Sequence, residues 1–290
     1  MIITKITGGL GNQMFQYAVA KAIAKKRQDE FKLDKYFYPK QTLRKYELNQ
    51  FNLEEKIATN DEVIKLAGNE NFWFKVKRKI GLNPKRPKSY FEEKEIAKFH
   101  EEVFEYQDNI YLDGYWQNEE YFKDIRDEIL KDFTLRSDIS NEAKKYLEYI
   151  KNLQSVSLHV RRGDYVQNSH TNSVHGTCNL KYYQKAIKKI EQNIENPIFY
   201  IFSDDIVWCK ENFEFLENKV FVDDTENAFD DLELMKNCKH NIIANSSFSW
   251  WGAWLNQNEN KIVIAPKRWF ADDKLESQSK DIICESWVRI

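Results

Sequence analysis

Short apolar, strand-like segments alternate with helical patterns along the second half of the chain, from Gln154 onward. The predicted strands cover 156–160, 198–202, 220–222, 241–244 and 262–265. Apolar positions at helical spacing fill the gaps between them, at 180–194, 207–213, 228–237 and 248–255. Strands that alternate with helices are typical of a parallel sheet covered by helices on both faces, so this half is predicted to be Rossmann-like.

The amino-terminal segment predicts another strand–turn–helix unit. Ile2, Ile3 and Ile6 favour a short strand, which is followed by a glycine-rich tight turn at 8–12, an alanine-rich helix at 14–26 and a strand at 31–33. Glycines in that turn would let backbone amides approach an anion at the start of the helix. The turn lacks the third glycine of a dinucleotide fingerprint and the Gly-Lys-Ser/Thr of a P-loop, so a turn without a ligand is an equal alternative.

A chain of 290 residues is long enough for two domains or for one large domain. The regular alternation of strands and helices begins at Gln154, which predicts a domain boundary near 150–154 and domains at 1–152 and 153–290. The net charge of -2 gives no general attraction to nucleic acid. The 4 cysteines are scattered, without the close spacing of a metal site, as is typical of reduced thiols. Because the chain has neither a signal-peptide pattern nor a membrane-spanning apolar run, a cytoplasmic protein is expected.

The stretch 71–88 mixes lysines and arginines with aromatic residues, and Pro84 and Pro87 interrupt any long helix there. A solvated surface of the first domain is the ordinary interpretation of such a run. Contact with an anionic membrane surface or with a lipid-linked acceptor is the alternative. Peripheral attachment at the inner face of the membrane therefore stays open.

Candidate ligand-binding chemistry begins where the strand at 156–160 ends, with His159, Arg161, Arg162 and Asp164. In open α/β sheets, ligands bind at the carboxyl ends of the strands. The planar guanidinium of arginine donates paired, charge-assisted hydrogen bonds and suits a diphosphate. A surface loop with an Arg–Asp ion pair is the alternative.

Polar groups follow other predicted strands as well: Ser203, Asp204 and Asp205 after one, Asp223 and Asp224 after another, and Asn245, Ser246 and Ser247 after a third. The serines open a helix, where hydroxyls and free amides could take phosphate oxygens, although Asn245 or Ser246 could equally be its cap. The acidic pairs could ligate Mg²⁺, cap a helix or accept from a guanine edge. We expect no metal, because an arginine can neutralise a diphosphate.

Several motifs in one order resemble bacterial α-1,2-fucosyltransferases, which form glycosyltransferase family 11. They are GGLGNQMFQYA at 8–18, GYWQNEEYF at 114–122, HVRRGDY at 159–165, FSDD at 202–205 and NSSFSWWGAWL at 245–255. The HxRRxD element is shared with α-1,6 and protein O-fucosyltransferases, whereas the first and last motifs narrow the resemblance to the α-1,2 group. The similarity extends over nearly the whole chain.

The resemblance implies a GT-B-like α/β fold, with two Rossmann-like domains that face a central cleft and with GDP held by the second. The implied reaction is an inverting transfer of L-fucose from GDP-β-L-fucose to the 2-hydroxyl of a terminal β-galactoside, without metal or cofactor. The acceptor would be a galactoside glycan of a surface oligosaccharide, free or lipid-linked, on the side of the first domain. The implied donor-binding residues are Gly11, Asn12, His159, Arg161, Ser203, Asp204, Asp205, Asn245, Ser246, Ser247 and Phe248.

The catalytic residues are predicted to be Arg161, which would neutralise the leaving diphosphate, and Asp164, which would be the base. His175 is the reserve base, and Asp164 could instead only orient an arginine. Two other classes of protein stay open. One is a transferase of another GDP-sugar on the same scaffold, and the other is a non-catalytic sugar-binding protein that uses the tryptophans at 250–254. At helical spacing those tryptophans are expected in the core.

Overall fold

A computed structural model describes residues 1–40, 44–69, 74, 79–82, 85–163, 166 and 168–290. Contacts divide the chain into two compact units, unit 1 (Met1–Arg136) and unit 2 (Ser137–Ile290). Each unit contains one sheet of parallel strands linked largely through helices. The predicted α/β class with two Rossmann-like domains is therefore confirmed.

Unit 1 is built on a 4-stranded sheet in the order β2-β1-β4-β3. Its strands are β1 (Ile2–Lys5), β2 (Phe31–Asp34), β3 (Tyr90–Glu92) and β4 (Ile110–Asp113). Its helices are α1 (Leu10–Arg27), α2 (Asn60–Ala67), α3 (Glu102–Glu105) and α4 (Arg126–Asp132), with 3₁₀ turns at Tyr38–Lys40, Leu48–Gln50, Glu119–Tyr121 and Lys123–Ile125. The sequence did not predict β3 and β4, because only the four-residue helix α3 lies between them, so this region lacks the regular alternation of strands with longer helices that reveals the strands of unit 2.

Helix α1 begins at Leu10, earlier than predicted, so Gly11 and Asn12 lie in its first turn rather than in a loop. Gly8 has a φ of +82°, and a Cβ there would meet the Asn12 side-chain nitrogen at 2.7 Å. Two fully buried glutamines stabilise this turn. Gln13 Oε1 accepts from the Glu47 N–H, and Gln16 Oε1 accepts from the Thr7 N–H, both at 2.9 Å.

Unit 2 is built on a 6-stranded sheet in the order β10-β9-β8-β5-β6-β7. Its strands are β5 (Ser155–Val160), β6 (Ile198–Ser203), β7 (Lys219–Phe221), β8 (His240–Ile242), β9 (Val263–Ala265) and β10 (Val288–Arg289). Its helices are α5 (Asn141–Asn152), α6 (Ser169–His175), α7 (Leu180–Glu191), α8 (Ile206–Asn212), α9 (Ala228–Asn237), α10 (Ser247–Leu255) and α11 (Asp273–Gln278). Every strand and helix predicted after Gln154 is present, with small shifts of its bounds.

The division between the units falls between Arg136 and Ser137, whereas the sequence predicted a boundary between 152 and 153. The difference is helix α5. Its buried Ala143 and Ile150 belong to the same hydrophobic cluster as Leu234 and Met235 of α9. Tertiary packing therefore assigns α5 to unit 2, although it precedes the first strand of that sheet.

Strand β5 separates two kinds of packing in unit 2. Its apolar residues Val156, Leu158 and Val160 share a cluster with Tyr183 and other residues of α7. The opposite face of the strand carries Ser155, Ser157 and His159, which are buried although they are polar. A buried polar group costs free energy unless it is hydrogen-bonded, so this face needs specific partners.

The partner of Ser157 is Asn241 on the neighbouring strand β8. The Asn241 Nδ2 donates to Ser157 Oγ at 2.7 Å and to the Met235 carbonyl at 2.9 Å. Asn256, after α10, donates to Asn241 Oδ1 at 2.8 Å. This buried network links the sheet to the ends of α9 and α10.

The tryptophans of α10 lie in the core, as predicted. Trp250, Trp251 and Trp254 are almost completely buried, and the rings of Trp250 and Trp251 meet edge to face at 5.1 Å between centroids. A sugar-stacking platform on these rings is therefore wrong.

No helix in the described parts of the chain is long and apolar enough to cross a membrane. Much of the basic stretch 71–88, including Pro84, lies outside the described residues. Arg86 is described, and its guanidinium lies over the Tyr90 ring at 4.2 Å and donates to the Ala67 carbonyl at 3.0 Å. Arg86 therefore contributes to the packing of unit 1.

Candidate functional site

The carboxyl ends of β6, β5 and β8 lie side by side in unit 2, because β5 pairs in parallel with both neighbours. From β5 the chain adds β6 and β7 on one side and then crosses over to add β8, β9 and β10 on the other. The crevice at such a switch point is where open α/β sheets bind ligands. The ends of these three strands, the turns after them and the start of α10 contain most of the predicted donor-binding residues.

Arg161 directly follows β5 and forms an ion pair with Asp204, which follows β6. The distance from Arg161 Nη1 to Asp204 Oδ2 is 2.9 Å. The other carboxylate oxygen of Asp204 accepts from the backbone N–H of Arg162 at 2.8 Å. One carboxylate thus joins the two turns and orients Arg161. Because a guanidinium carries five N–H donors in a plane, it can hold an anionic ligand as well as this carboxylate.

The side chain of Arg162 binds two residues that follow β6. Its Nε donates to Asp205 Oδ2 at 3.1 Å, and its guanidinium stacks on the Trp208 ring at 4.0 Å. Asp205 Oδ1 accepts from the Trp208 N–H and so caps α8, while the Asp205 N–H donates to Ser203 Oγ at 2.9 Å. The helix-cap alternative for Asp205 is confirmed. Sequence reasoning missed Trp208, which is the third residue of the helix that Asp205 caps.

His159 is buried near the carboxyl end of β5, where its ring packs against Phe248 at 5.8 Å between centroids. Burial, and then the nearby Arg161, lowers the pKa of His159 to about 3. At neutral pH the imidazole is therefore uncharged, with one nitrogen that donates and one that accepts. Within the described ranges, its Nδ1 has no hydrogen-bond partner. A buried, neutral ring of this kind is suited to a polar ligand.

Ser246 caps α10 through its Oγ, which accepts from the Phe248 N–H at 3.3 Å. The capping alternative for Ser246 is therefore confirmed. The first turn of α10 contains no acidic side chain. The amides of Ser247 and Phe248 stand at the positive end of the helix dipole, which favours a negatively charged group.

Asn245 connects loops of the protein. Its Nδ2 donates to the carbonyls of His175, Gly176 and Trp269 at 3.0, 3.2 and 3.1 Å. The side chain is nearly inaccessible, at 4% exposure. Asn245 thus positions these loops, and its direct contact with the donor stays a prediction.

His175 ends α6, and its ring packs against Phe270 at 5.5 Å between centroids. It lines a cavity of about 490 Å³ together with Asn245, Lys267 and Phe270. Because Asn245 immediately precedes Ser246, this cavity adjoins the start of α10. The structure thus places His175 beside the turn that Asn245 holds.

Gly163 is required by the close approach of the β5 and β6 turns. A Cβ at this position would lie 2.6 Å from Asp204 Oδ2, which is closer than van der Waals contact allows. Any larger residue must displace the carboxylate that orients Arg161. The sequence prediction did not single out this glycine.

Other predicted residues have no described place in this group. Asp164 lies outside the described residues, so its role as a base stays a prediction. Gly11 and Asn12 lie in unit 1, where Asn12 Oδ1 accepts from Gln117 Nε2 at 2.7 Å. Their contact with a donor also stays a prediction.

The described residues contain no group of three or more His, Cys, Asp or Glu side chains that could hold a metal ion. Independence from metal ions stays a prediction about the reaction.

Comparison with solved structures supports the fold. The chain superposes on the protein O-fucosyltransferase POFUT1, crystallised with GDP-fucose, with a TM-score of 0.51 at 14% identity, over 90% of this chain and 95% of that one. It superposes on the fucosyltransferase NodZ from Bradyrhizobium with a TM-score of 0.50 at 14% identity, over 87% and 91% of the two chains. Both neighbours are GT-B-like, and the GT-B-like class is confirmed.

Two bacterial sequence relatives match over nearly the full length, and a primate relative matches over half of the chain. The chain is 36% identical to an alpha-1,2-colitosyltransferase of Escherichia coli, over 100% of this chain and 99% of the relative. It is 36% identical to the O-antigen biosynthesis glycosyltransferase WbnK of Escherichia coli, over 98% and 99%. The galactoside alpha-(1,2)-fucosyltransferase 2 of Pongo pygmaeus is 31% identical, over 50% of this chain and 44% of the relative.

The sequence model described as Glycosyl transferase family 11 matches residues 1–290, which is the whole chain. The family suggested by the motifs is thereby confirmed. The chain belongs to glycosyltransferase family 11.

Proposed function

We propose that the protein is an inverting α-1,2-fucosyltransferase, which moves L-fucose from GDP-β-L-fucose to the 2-hydroxyl of a terminal β-galactoside. Unit 2 would hold the donor, and unit 1 would bind the acceptor glycan. The α-1,2 linkage is named both for the full-length colitosyltransferase relative and for the primate fucosyltransferase. The proposal combines this linkage with the chemistry of the group at the ends of β5, β6 and β8.

The observation that carries the proposal is the arrangement around Arg161. Its guanidinium is oriented by Asp204 at 2.9 Å, next to a buried, neutral His159. The start of α10, which carries no acidic side chain, follows the neighbouring strand. A fixed cation and a helix amino terminus at one switch point suit the diphosphate of a nucleotide sugar.

In the proposed step, the 2-hydroxyl oxygen of the acceptor attacks the anomeric carbon of fucose, and the bond from that carbon to the phosphate oxygen breaks. GDP leaves with the electron pair, and the hydroxyl proton passes to a base. Arg161 and the first amides of α10 would stabilise the charge that grows on GDP. Removing one such preorganised donor typically costs about 10²–10³ in rate.

A single displacement inverts the configuration, so a β-linked donor gives an α-linked product. A covalent enzyme intermediate would instead give two inversions and net retention. We propose Asp164 as the base, because it lies only three residues after Arg161 in the sequence. Asp164→Asn should then lower kcat far more than the affinity for GDP-fucose, since a base acts on the transition state. An unchanged kcat would move this role to His175 or to no side chain.

Colitosyl transfer is the second candidate, because the full-length relative at 36% identity is an alpha-1,2-colitosyltransferase. The two candidates share the leaving GDP and the acceptor hydroxyl, and differ in the transferred deoxy sugar. The contacts of Arg161 and α10 concern only the GDP part, so they fit both candidates equally.

A direct competition tests the proposal. The purified protein is incubated with lactose and with GDP-fucose, GDP-colitose or GDP-mannose, and the kcat/KM values for the three donors are compared. We expect GDP-fucose to be preferred and NMR of the product to show an α-1,2 linkage. A preference for GDP-colitose would establish the second candidate, and a β-linked product would contradict inversion.

Arg161→Ala provides the site control in the same assay, with Arg289→Ala as a matched variant of an exposed arginine in unit 2. Arg289 donates to the carbonyls of Lys280 and Ile283, on the segment that leads into β10. We expect loss of transfer only in Arg161→Ala, with an unchanged circular dichroism spectrum in both. Near-normal turnover by Arg161→Ala would contradict the proposed donor site.

A further inference from the structure

Tyr115 stands at the switch point of the sheet in unit 1. The chain adds β2 on one side of β1, and β4 pairs with the other side of β1, in the order β2-β1-β4-β3. Tyr115 lies two residues beyond Asp113, the last residue of β4. This is the position at which an open parallel sheet binds ligands. Tyr115 is nevertheless an exposed large hydrophobic residue, at 38% exposure.

The backbone around Tyr115 is held rigidly by a carboxylate of low exposure. Glu93 Oε2 accepts from the N–H groups of Tyr115 at 2.6 Å and of Trp116 at 3.1 Å. Glu93 Oε1 accepts from the Ala97 N–H at 3.1 Å. Because these three bonds converge on one side chain, Glu93 fixes the turn after β4 to the turn after β3.

The direction of the Tyr115 ring follows from its neighbours. Trp116 has a φ of +59°, in the left-handed region, and its side chain is completely buried against Tyr121. Gly114 admits no side chain, since a Cβ there would lie 2.4 Å from the Cβ of Glu93. A non-glycine residue at positive φ costs about 1 kcal/mol or more, so the surrounding contacts must enforce this turn. The turn buries Trp116 and leaves Tyr115 at the surface.

Charged groups of moderate exposure lie beside the ring. Lys5 Nζ and Asp113 Oδ2 form an ion pair at 2.9 Å, with 33% and 21% of the two side chains exposed. Burial of the phenol raises the pKa of Tyr115; Lys5 opposes this shift and Asp113 adds to it. No described residue forms a hydrogen bond to the Tyr115 hydroxyl. An aromatic face next to a carboxylate and an ammonium matches a pyranose ring, which has an apolar C–H face and a rim of hydroxyls.

We propose that Tyr115 is the stacking platform for the acceptor galactoside, that Lys5 and Asp113 bind the hydroxyls of that sugar, and that Glu93 positions the platform. This inference rests on the proposed function, since it assigns the acceptor to unit 1. The apolar face of the galactose ring packs on the Tyr115 ring. Within the sequence motif at 114–122, Tyr115 would contact the ligand, and buried residues such as Trp116 and Tyr121 would hold the turn in place.

Steady-state kinetics with lactose as the acceptor tests the platform. Tyr115→Ala should raise the KM for lactose about fivefold, since loss of aromatic stacking costs roughly 1 kcal/mol. The KM for GDP-fucose and the slow release of GDP without acceptor should stay within about twofold. Tyr115→Phe should retain most of the lactose affinity because it keeps the ring. Tyr149→Ala removes a tyrosine that is 62% exposed on α5 and should leave all these values unchanged.

Glu93→Gln tests positioning. The amide keeps one acceptor oxygen, so it cannot satisfy the N–H groups that now face both carboxylate oxygens. We expect an increased KM for lactose with a nearly unchanged KM for GDP-fucose and the same circular dichroism spectrum. Equal losses for donor and acceptor would indicate a general structural role and would contradict the positioning role.

Binding of lactose alone, followed by saturation-transfer NMR, separates this inference from the proposed function. If the native protein binds lactose but transfers no fucose, the proposed donor is wrong, and a weaker saturation signal in Tyr115→Ala still supports the platform. If Tyr115→Ala binds lactose as the native protein does, the platform is wrong, whatever the donor is.

Discussion

Acidification should destabilise the folded protein through His159. This ring lies in the core of unit 2, and its pKa is lowered from 6.5 to about 3 by burial and by Arg161. In the unfolded chain the same imidazole titrates near its ordinary value. The folded state therefore takes up this proton at a much lower pH than the unfolded state does. The stabilisation is complete above the unfolded pKa, and it is lost as the pH falls from there towards the folded pKa.

The magnitude follows from proton linkage. Each pH unit between the unfolded and folded pKa values costs about 1.4 kcal/mol of unfolding free energy. Between about pH 7 and pH 5 the loss from this one group is therefore about 2 kcal/mol. That is a large share of the roughly 5–15 kcal/mol by which a domain is usually stable.

Urea unfolding of the native protein and of His159→Gln at a series of pH values isolates this effect. Tryptophan fluorescence reports on unit 2, which contains Trp208, Trp250, Trp251, Trp254, Trp269 and Trp287. All other titrating groups are common to both proteins, so their contributions cancel in the difference. We expect the native protein to lose about 2 kcal/mol more than the variant between about pH 7 and pH 5. If the difference in unfolding free energy between the two proteins does not change with pH, the reasoning is refuted. His159 would then titrate in the folded protein at the same pH as in the unfolded chain.

Three further variants and one ligand test follow from the site and its support. Arg161→Lys should recover little of the transfer lost in Arg161→Ala, because a point charge cannot replace the planar fork, and initial rates measure this. Gly163→Ala should lower kcat about tenfold or more, since its Cβ would lie 2.6 Å from Asp204 Oδ2; a normal rate would show that the turns can separate without cost. Asn241→Leu should destabilise the protein by about 2–4 kcal/mol in urea, because it leaves Ser157 and other buried groups unpaired, whereas wild-type stability would mean that water replaces these bonds. Transfer should persist in excess EDTA, and loss that Mg²⁺ or Mn²⁺ restores would place a metal in the reaction.

The second half of the fold was predictable because periodicity is a local property. The strands and helices of unit 2 repeat apolar positions at the period of each element, and the sequence predicts five of the six strands and four of the seven helices that the structure describes there. In unit 1 only a four-residue helix separates β3 from β4, so the alternation of strands with longer helical patterns that marks unit 2 is missing there. Helix α1 also begins before the position that its apolar pattern predicts. Its first turns are stabilised by hydrogen bonds of the buried Gln13 and Gln16, which an apolar pattern does not reveal.

The sequence predicted which segments form the site, but not which side chains pair with each other. His159 lies at the end of a predicted strand, and Arg161, Asp204 and Ser246 follow predicted strands. This is enough to predict that they meet at one sheet edge. Which partner each side chain chooses depends on distances across the sheet. Asp204 pairs with Arg161, while Asp205 caps α8 and binds Arg162, and the two acidic residues look equivalent in the sequence.

By itself, the sequence determined the α/β class, the family and the arginine turn, because each follows from patterns or motifs of residues that are close together along the chain. Only the tertiary structure decided that α5 belongs to unit 2, that Asn245 holds backbone loops, and that His159 is neutral. It also decided that Glu93 turns Trp116 inward and Tyr115 outward. These properties depend on burial and on contacts between residues far apart in the sequence, and neither is encoded in the spacing of any single segment.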